Sequence, residues 1–261
     1  MPSGDRDWMQ DFDRTFAADP GSVGGVQARI WTEVYGDEYP ADLGPHSYVS
    51  RTELRRFARD LRVGPGDVLA DLACGEAGPG LWVARETGAR LVGVDISKVA
   101  LASAERRAAA MGMADRCAWI EGTFEATGLH DASLDGAMSV DAILFTPDKR
   151  AAGREFARIL RPRGRLVFTN FDYSGQPAGR PRQVDDHSPL LEEAGFEILA
   201  YDETEDWHDR LKATGEGLLE GVDALAAESG EDRDVVEADV REMNATLDVI
   251  TRRVFVVAER R

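Results

Sequence analysis

The chain is poor in the residues that build staples and metal cages. Its 261 residues include two cysteines, Cys74 and Cys117, in neither a C-x-x-C spacing nor a disulfide-rich pattern. Its four histidines, His46, His130, His187 and His208, show no H-x-x-x-H or other metal-ligand spacing, so no metal is expected. No apolar run reaches the roughly 18 residues of a membrane span. Met1 to Asp13 is polar and acidic, without the apolar core of a signal peptide. A cytoplasmic protein with no membrane partner is the expectation. Positive charge is also scarce: 31 Lys and Arg stand against 48 Asp and Glu, a formal net charge of -17. That field repels a phosphate backbone, and no dense basic run offsets it. The pairs Arg55-Arg56, Arg106-Arg107 and Arg260-Arg261 read as solvated faces, so no nucleic-acid partner is expected. No internal repeat or low-complexity tract appears.

What is present suits one large α/β domain with additions. Hydrophobic residues make up 43% of the chain, enough for a sizeable core, and charged residues 30%, enough to keep its surface wet. The first stretch is rich in aromatics (Trp8, Phe12, Phe16, Trp31, Tyr35, Tyr39, Tyr48) and is cut by Pro20-Gly21, Gly24-Gly25, Pro40 and Pro45. Arg51 to Arg62 places Leu54, Phe57, Ala58 and Leu61 on one helical face. Residues 1–62 are expected to form a helical lid or cap.

From residue 63 the pattern changes. Strands are predicted at Val68–Leu72, Leu91–Val94, Ala118–Glu121, Gly136–Val140 and Arg165–Thr169. Helices are predicted between them at Gly80–Glu86, Lys98–Met111 and Lys149–Leu160, the last closed by Arg161-Pro162-Arg163-Gly164. Short apolar runs alternating with helices are the mark of a parallel sheet covered on both faces. A short helix at Leu190–Ala194, a strand at Phe196–Tyr201 and a last strand at Ile250–Ala258 suggest a closing pair at one edge. Between them lies a helical insertion at about 205–247, broken near Ser229-Gly230.

Two elements carry chemistry. The first is Asp71-Leu72-Ala73-Cys74-Gly75-Glu76-Ala77-Gly78-Pro79-Gly80, a strand running through small residues into a helix. Small residues let a ligand approach the backbone, and the helix start offers free N–H groups. The second is Asp95, 24 residues after Asp71 and close to the gap of about 20 residues expected for a ribose-binding carboxylate. Taken alone, Asp95 also reads as a cap ahead of Ser97.

Residues 68 to 170 resemble class I S-adenosylmethionine-dependent methyltransferases. The D-L-A-C-G-E-A-G-P-G loop is similar to their first motif, and L-V-G-V-D-I-S to their second strand and its acidic end. L-D-G-A-M-S-V-D-A resembles their fourth strand, and I-L-R-P-R-G-R-L-V-F the approach to the fifth. The flanks look more loosely like bacterial methyltransferases that tailor secondary metabolites. The resemblance implies a Rossmann-like fold: a seven-stranded, mostly parallel sheet, helices on both faces and a helical lid. It implies S-adenosylmethionine as cofactor, S-adenosylhomocysteine as product and a small-molecule acceptor. Asp71, Ala73, Gly75 and Gly78 would wrap the methionine part. Asp95 would hold the ribose, with Ile96 and Ser97 against the adenine. Thr123 and Phe124 would sit at the adenine edge, and Ser139 and Val140 near the sulfonium. Ala73 and Ala77 stand where glycine is common, and Thr123 where an acidic residue is common.

A general base is needed only if the acceptor must lose a proton. His187, past the fifth strand, and Asp141, after the fourth, are the candidates. The alternative for His187 is an exposed ring beside a helix capped by Asp186, and for Asp141 a plain loop carboxylate. His46 beside Tyr48 can reach the pocket from the N-terminal lid, with an exposed loop histidine as the simpler account. Tyr35, Tyr39, Phe145, Phe171 and Tyr173, with Trp31, are candidates for the acceptor pocket, with core packing as the simpler account for most.

Two rival functions are weighed. A nicotinamide-dependent oxidoreductase fits the relaxed glycine pattern Ala73-x-Gly75-x-x-Gly78, but no Tyr-x-x-x-Lys dyad occurs in the chain. A non-catalytic S-adenosylmethionine-binding protein on the same fold would keep Asp71, Gly75 and Asp95 as they are. A nucleic-acid base methylase would place Asn/Asp-Pro-Pro-aromatic where this chain has Asp141-Ala142-Ile143-Leu144.

Overall fold

Val68–Leu72 (β1) is apolar at nearly every position because both its faces are covered and both its edges are paired. It lies parallel to Arg90–Asp95 (β2) on one side and to Leu134–Val140 (β4) on the other. Cys117–Glu121 (β3) pairs with β2, and Leu160–Tyr173 (β5) with β4, all in parallel. Ile250–Arg260 (β7) then enters antiparallel between β5 and the edge strand Phe196–Glu203 (β6). The order is β3-β2-β1-β4-β5-β7-β6. Strand order reverses between β1 and β4, and ligands of such sheets bind beyond the strand carboxyl ends at this point. The computed structural model describes residues 8–18 and 25–261. The expected breaks at Pro20-Gly21 and Gly24 and the first residues of the polar amino terminus lie outside these.

The sheet carries a core on each face. Leu69, Val167, Phe255 and Val257 point to one side, against Arg51–Asp60 (α3), Gly78–Thr87 (α4) and Lys98–Ala110 (α5). Ala70, Leu72, Phe168 and Val256 point to the other, against Lys149–Ile159 (α6) and Ser188–Glu193 (α7). Alternation along each strand makes this division automatic. Helix α3 starts where expected because Ser50 and Glu53 form a capping box: Ser50 Oγ accepts from the Glu53 N–H at 3.1 Å, and Glu53 Oε2 accepts from the Ser50 N–H at 2.8 Å. Leu54, Phe57 and Leu61 are buried on its predicted face.

The remaining helices gather over one end of the sheet. They are Trp8–Ala18 (α1), Val26–Tyr35 (α2) and the inserted Trp207–Glu220 (α8), Val222–Ser229 (α9) and Arg233–Ala245 (α10). The insertion breaks at Gly230, as expected, and also at Gly221. Helices α2 and α8 pack closely because Gly217 has no Cβ; one there would meet Ile30 Cγ2 at 2.7 Å. A separate cluster of Ile30, Trp31, Tyr35, Tyr39, Leu218 and Val240 joins the amino-terminal region to the insertion.

One predicted boundary moves. Arg161-Pro162-Arg163-Gly164 does not lie outside the fifth strand. Leu160 already pairs with Leu134, and pairing resumes at Arg165 with Gly136 across an irregularity. Arg163, with φ of 67°, carries the kink.

Candidate functional site

The site grows from the loop after β1. Gly75 has φ of 53°, and a Cβ on it would meet the Phe16 ring at 3.1 Å. A Cβ on Gly78 would meet the Leu43 carbonyl oxygen at 2.1 Å. Gly78 therefore has no room for a side chain, and one at Gly75 would have to displace the Phe16 ring. Ala73 and Ala77 also hold φ of 57°, and that left-handed geometry is why glycine suits these two positions.

Asp95, at the end of β2, anchors the loop. Its Oδ2 accepts from the Gly75 N–H at 2.8 Å and its Oδ1 from the Ser97 N–H at 2.9 Å. Each oxygen keeps a lone pair for a ligand hydroxyl. Burial raises the Asp95 carboxyl above its ordinary range despite these bonds. Asp71 is buried as well, and burial together with the charge of Asp95 pushes it up to about 8. Ser97 caps α5, accepting from the Ala100 N–H at 3.1 Å, and its hydroxyl donates to Asp13 of α1 at 2.5 Å. Ser139 donates to the Leu72 carbonyl at 2.9 Å and ties β4 to β1.

Above these strand ends lies a cavity of about 460 Å³. Its walls include Asp71, Ala73, Gly75, Gly78, Asp95, Ile96, Thr123, Phe124 and Val140. Nine of the eleven expected cofactor residues therefore share one surface. Ser97 and Ser139 stand behind it as supports. Helix α1 adds Phe12 and Phe16, and the segment before α3 adds Pro45, His46 and Ser47. Five carboxylates line the cavity (Asp71, Glu76, Asp95, Glu125, Asp141), and no Lys or Arg does among the described residues. Glu76 is 3% exposed; its Oε2 meets Arg107 at 3.3 Å, while its buried Oε1 has no hydrogen-bond partner. Such an orphan oxygen suits a cationic ligand group.

Residues 70–168 match the methyltransferase domain family. The chain thus carries a methyltransferase domain and is similar to S-adenosylmethionine-dependent methyltransferases. This methyltransferase is similar to Methyltransferase GfsG of Streptomyces halstedii, at 26% identity over 74% of either chain. It is similar to the 27-O-demethylrifamycin SV methyltransferase of Amycolatopsis mediterranei, at 27% identity over 72% of this chain and 68% of that one. It spans about half the length of the plant and fungal sterol C-methyltransferases it also matches. In fold it is similar to the (4+2)-cyclase SpnF, with a TM-score of 0.74 and 21% identity over 97% of this chain and 94% of that one. Other neighbours of the fold hold S-adenosylmethionine or S-adenosylhomocysteine.

The glycines, the orphan Glu76 oxygen and the acidic walls of the methyltransferase all fit that cofactor, whose sulfonium and ammonium are cationic. They fit a dinucleotide less well, because no Lys or Arg among the described residues lines the cavity to meet a pyrophosphate.

A second cavity of about 230 Å³ adjoins the first, and His46, Ser47, Asp141 and Phe145 stand on the walls of both. Trp31, Tyr48, Phe171 and Tyr173 give the second its aromatic sides, and α8 and α10 give Leu211, Leu218 and Met243. Tyr48 lies stacked on Trp31 at 5.4 Å and edge-on to Phe171 at 6.1 Å. Burial pushes the Tyr48 hydroxyl up to about 12, so it remains protonated. His46, Phe145, Phe171 and Tyr173 thus line these cavities, His46 as an exposed ring.

Three expectations are corrected, and a fourth residue, Asp141, is found already hydrogen-bonded. Tyr35 and Tyr39 line neither cavity; they are buried against each other, ring centres 6.4 Å apart, in the cluster beneath α8. His187 lines neither cavity and is not exposed either. Its ring is 4% exposed behind β5, with Nε2 2.9 Å from Asn170 Nδ2, and burial drops it to about 4. Asp186 does cap the following turn, accepting from the Ser188 N–H at 2.7 Å. Asp141 reaches the cavities, but its carboxylate is committed. It takes two hydrogen bonds from Arg253 and one from the Tyr48 N–H at 2.9 Å.

Sequence reasoning missed Glu76, Glu125, Phe12, Phe16 and the second-cavity residues of the insertion. Glu76 sits inside the quoted loop and its charge was a usable signal. The others come from elements whose placement no local pattern encodes.

Among the described residues no group of three His, Cys, Asp or Glu could hold a metal ion, and no helix is long and apolar enough to cross a membrane.

Proposed function

We propose that this enzyme transfers the methyl group to an apolar small molecule of bacterial secondary metabolism, bound in the second cavity, by in-line displacement. The observation that carries this reading is the pair of adjoining cavities, one acidic and loop-wrapped, the other aromatic, sharing the wall of His46, Asp141 and Phe145.

When bound, the cofactor supplies a methyl already activated on sulfur. The chain's own part is placement and exclusion of water. Asp95 holds the ribose hydroxyls, and Glu76 accepts from the ammonium of the methionine part. Ile96, Thr123 and Phe124 flank the adenine. Asp71, Ala73, Gly75, Gly78 and Val140 shape the floor, with Ser97 and Ser139 fixing the backbone behind it. Residues 1–62 and the insertion at about 205–247 act together as the cap. Where the acceptor must lose a proton, the imidazole of His46 takes it, since it stands on the walls of both cavities and His187 lines neither.

The test is calorimetric binding of S-adenosylhomocysteine and of NAD(H), followed by transfer of labelled methyl from S-adenosylmethionine across a panel of apolar acceptors. Binding of the first ligand alone, with label in at least one acceptor, is expected. Binding of NAD(H) without S-adenosylhomocysteine would overturn the reading.

A further inference from the structure

Of the five carboxylates that line the first cavity, Glu76 alone has a buried oxygen without a hydrogen-bond partner among the described residues. Asp95 accepts from the Gly75 and Ser97 N–H groups, Asp141 from Arg253 and the Tyr48 N–H, and Glu125 from the Thr146 hydroxyl. The second oxygen of Glu76, Oε2, is held by Arg107 of α5, with Nη2 at 3.3 Å. The Nη1 of the same guanidinium donates to the Leu43 carbonyl.

Arg107 has a firm base. It stands in the last turn of α5, whose Ala100, Leu101, Ala104 and Ala108 are buried in the core. Close packing there leaves the helix backbone little room to shift. Leu43 is buried as well, and its carbonyl oxygen lies 2.1 Å from where a Cβ on Gly78 would be. One guanidinium thus joins α5, the loop after β1 and the segment leading to His46 and Ser47. A planar fork of N–H donors can hold two acceptors in fixed directions, which the point charge of a lysine cannot. Arg107 itself lines neither cavity, so it reaches a ligand only through Glu76.

A carboxylate held at one oxygen has a set direction, and its other oxygen is costly to leave unpaired when buried. An ammonium donating to that oxygen offsets the cost. We propose that Arg107 is a positioning residue for cofactor recognition: it fixes Glu76 so that Oε1 accepts from the ammonium of the methionine part, and the site thereby selects ligands that carry this amine. The proposal rests on reading the first cavity as the S-adenosylmethionine site.

The experiment is calorimetry on the full chain with two ligands, S-adenosylhomocysteine and its deamino analogue, which keeps the carboxylate and lacks only the amine. One charge-assisted hydrogen bond predicts that wild type prefers S-adenosylhomocysteine by about tenfold or more. Glu76→Gln and Arg107→Met should each lose most of that preference, with affinity for the deamino analogue changed far less. Arg107→Lys, which keeps the charge without the fork, should keep at most part of it. Equal binding of the two ligands by wild type overturns the proposal. So does a full preference in any of the three variants, or an equal weakening of both ligands in the Arg107 variants, which would mark a merely structural role. Failure of wild type to bind S-adenosylhomocysteine would instead count against the methyl-transfer reading.

Discussion

The Asp141 carboxylate and the Arg253 guanidinium meet fork to fork, with Nε to Oδ1 and Nη2 to Oδ2 both at 3.0 Å. Both side chains are almost fully buried, and Asp141 holds the pair with a left-handed backbone, φ of 49°. Arg253, on β7, also reaches Glu53 of α3. One ion pair therefore joins the end of β4, the antiparallel strand and the helix before the domain. Removing one partner strands a buried charge, at a cost of about 3–5 kcal/mol. Asp141→Asn and Arg253→Met should each lower the denaturant midpoint by that order. The double replacement should cost clearly less than the sum. Additive losses would show that the two do not act as a pair.

Asp95 ties the loop to itself and offers the ribose its remaining lone pairs. Asp95→Ala should weaken S-adenosylhomocysteine binding by about a hundredfold, since bonds to a charged acceptor are each worth about 1.5–3 kcal/mol. Calorimetry reads the change, and unchanged affinity would remove Asp95 from the site.

Gly78 lies under the Leu43 carbonyl. Gly78→Ala should push back the segment that carries Pro45, His46 and Ser47, costing about 1–3 kcal/mol of stability and weakening cofactor binding with it. A wild-type melting curve and affinity would refute the close approach.

Asp71 and His187 give opposite pH dependences. The Asp71 carboxyl is raised from 3.8 to about 8, so the native state binds its proton more tightly than the unfolded chain. Its contribution is full below pH 3.8 and is lost as pH rises through 8. Asp71→Asn should therefore gain on wild type between pH 5 and pH 8.5 in urea midpoint.

His187 is lowered from 6.5 to about 4, so the unfolded chain binds the proton more tightly. Its contribution is full above pH 6.5 and is lost as pH falls through 4. His187→Gln should flatten the loss of stability over that interval, whatever its cost at pH 7. An unchanged acid slope would mean that the ring is not buried as described.

The loop from Asp71 to Gly80 and the carboxylate of Asp95 were legible because a parallel sheet writes its binding site locally, at the ends of successive strands. Each such end is a short apolar run followed by small or acidic residues. The base candidates were not legible. A histidine beside Asp185-Asp186 looks the same in sequence whether its ring faces a cavity or, as His187 does, the underside of β5. Asp141 looks free until Arg253 arrives from a strand 112 residues later. Tyr35 and Tyr39 face α8 and not a ligand, and α8 begins more than 160 residues further on.

The sequence by itself determined the alternation of strands and helices, the glycine loop and the acidic residue after β2. These depend on periodicity and backbone geometry within a few residues. Tertiary structure alone decided which charges are spent in pairs, which aromatics are wall and which are core, and that two cavities share a wall at His46, Asp141 and Phe145. Those properties belong to contacts between distant segments, and burial and pairing exist only once such segments have met.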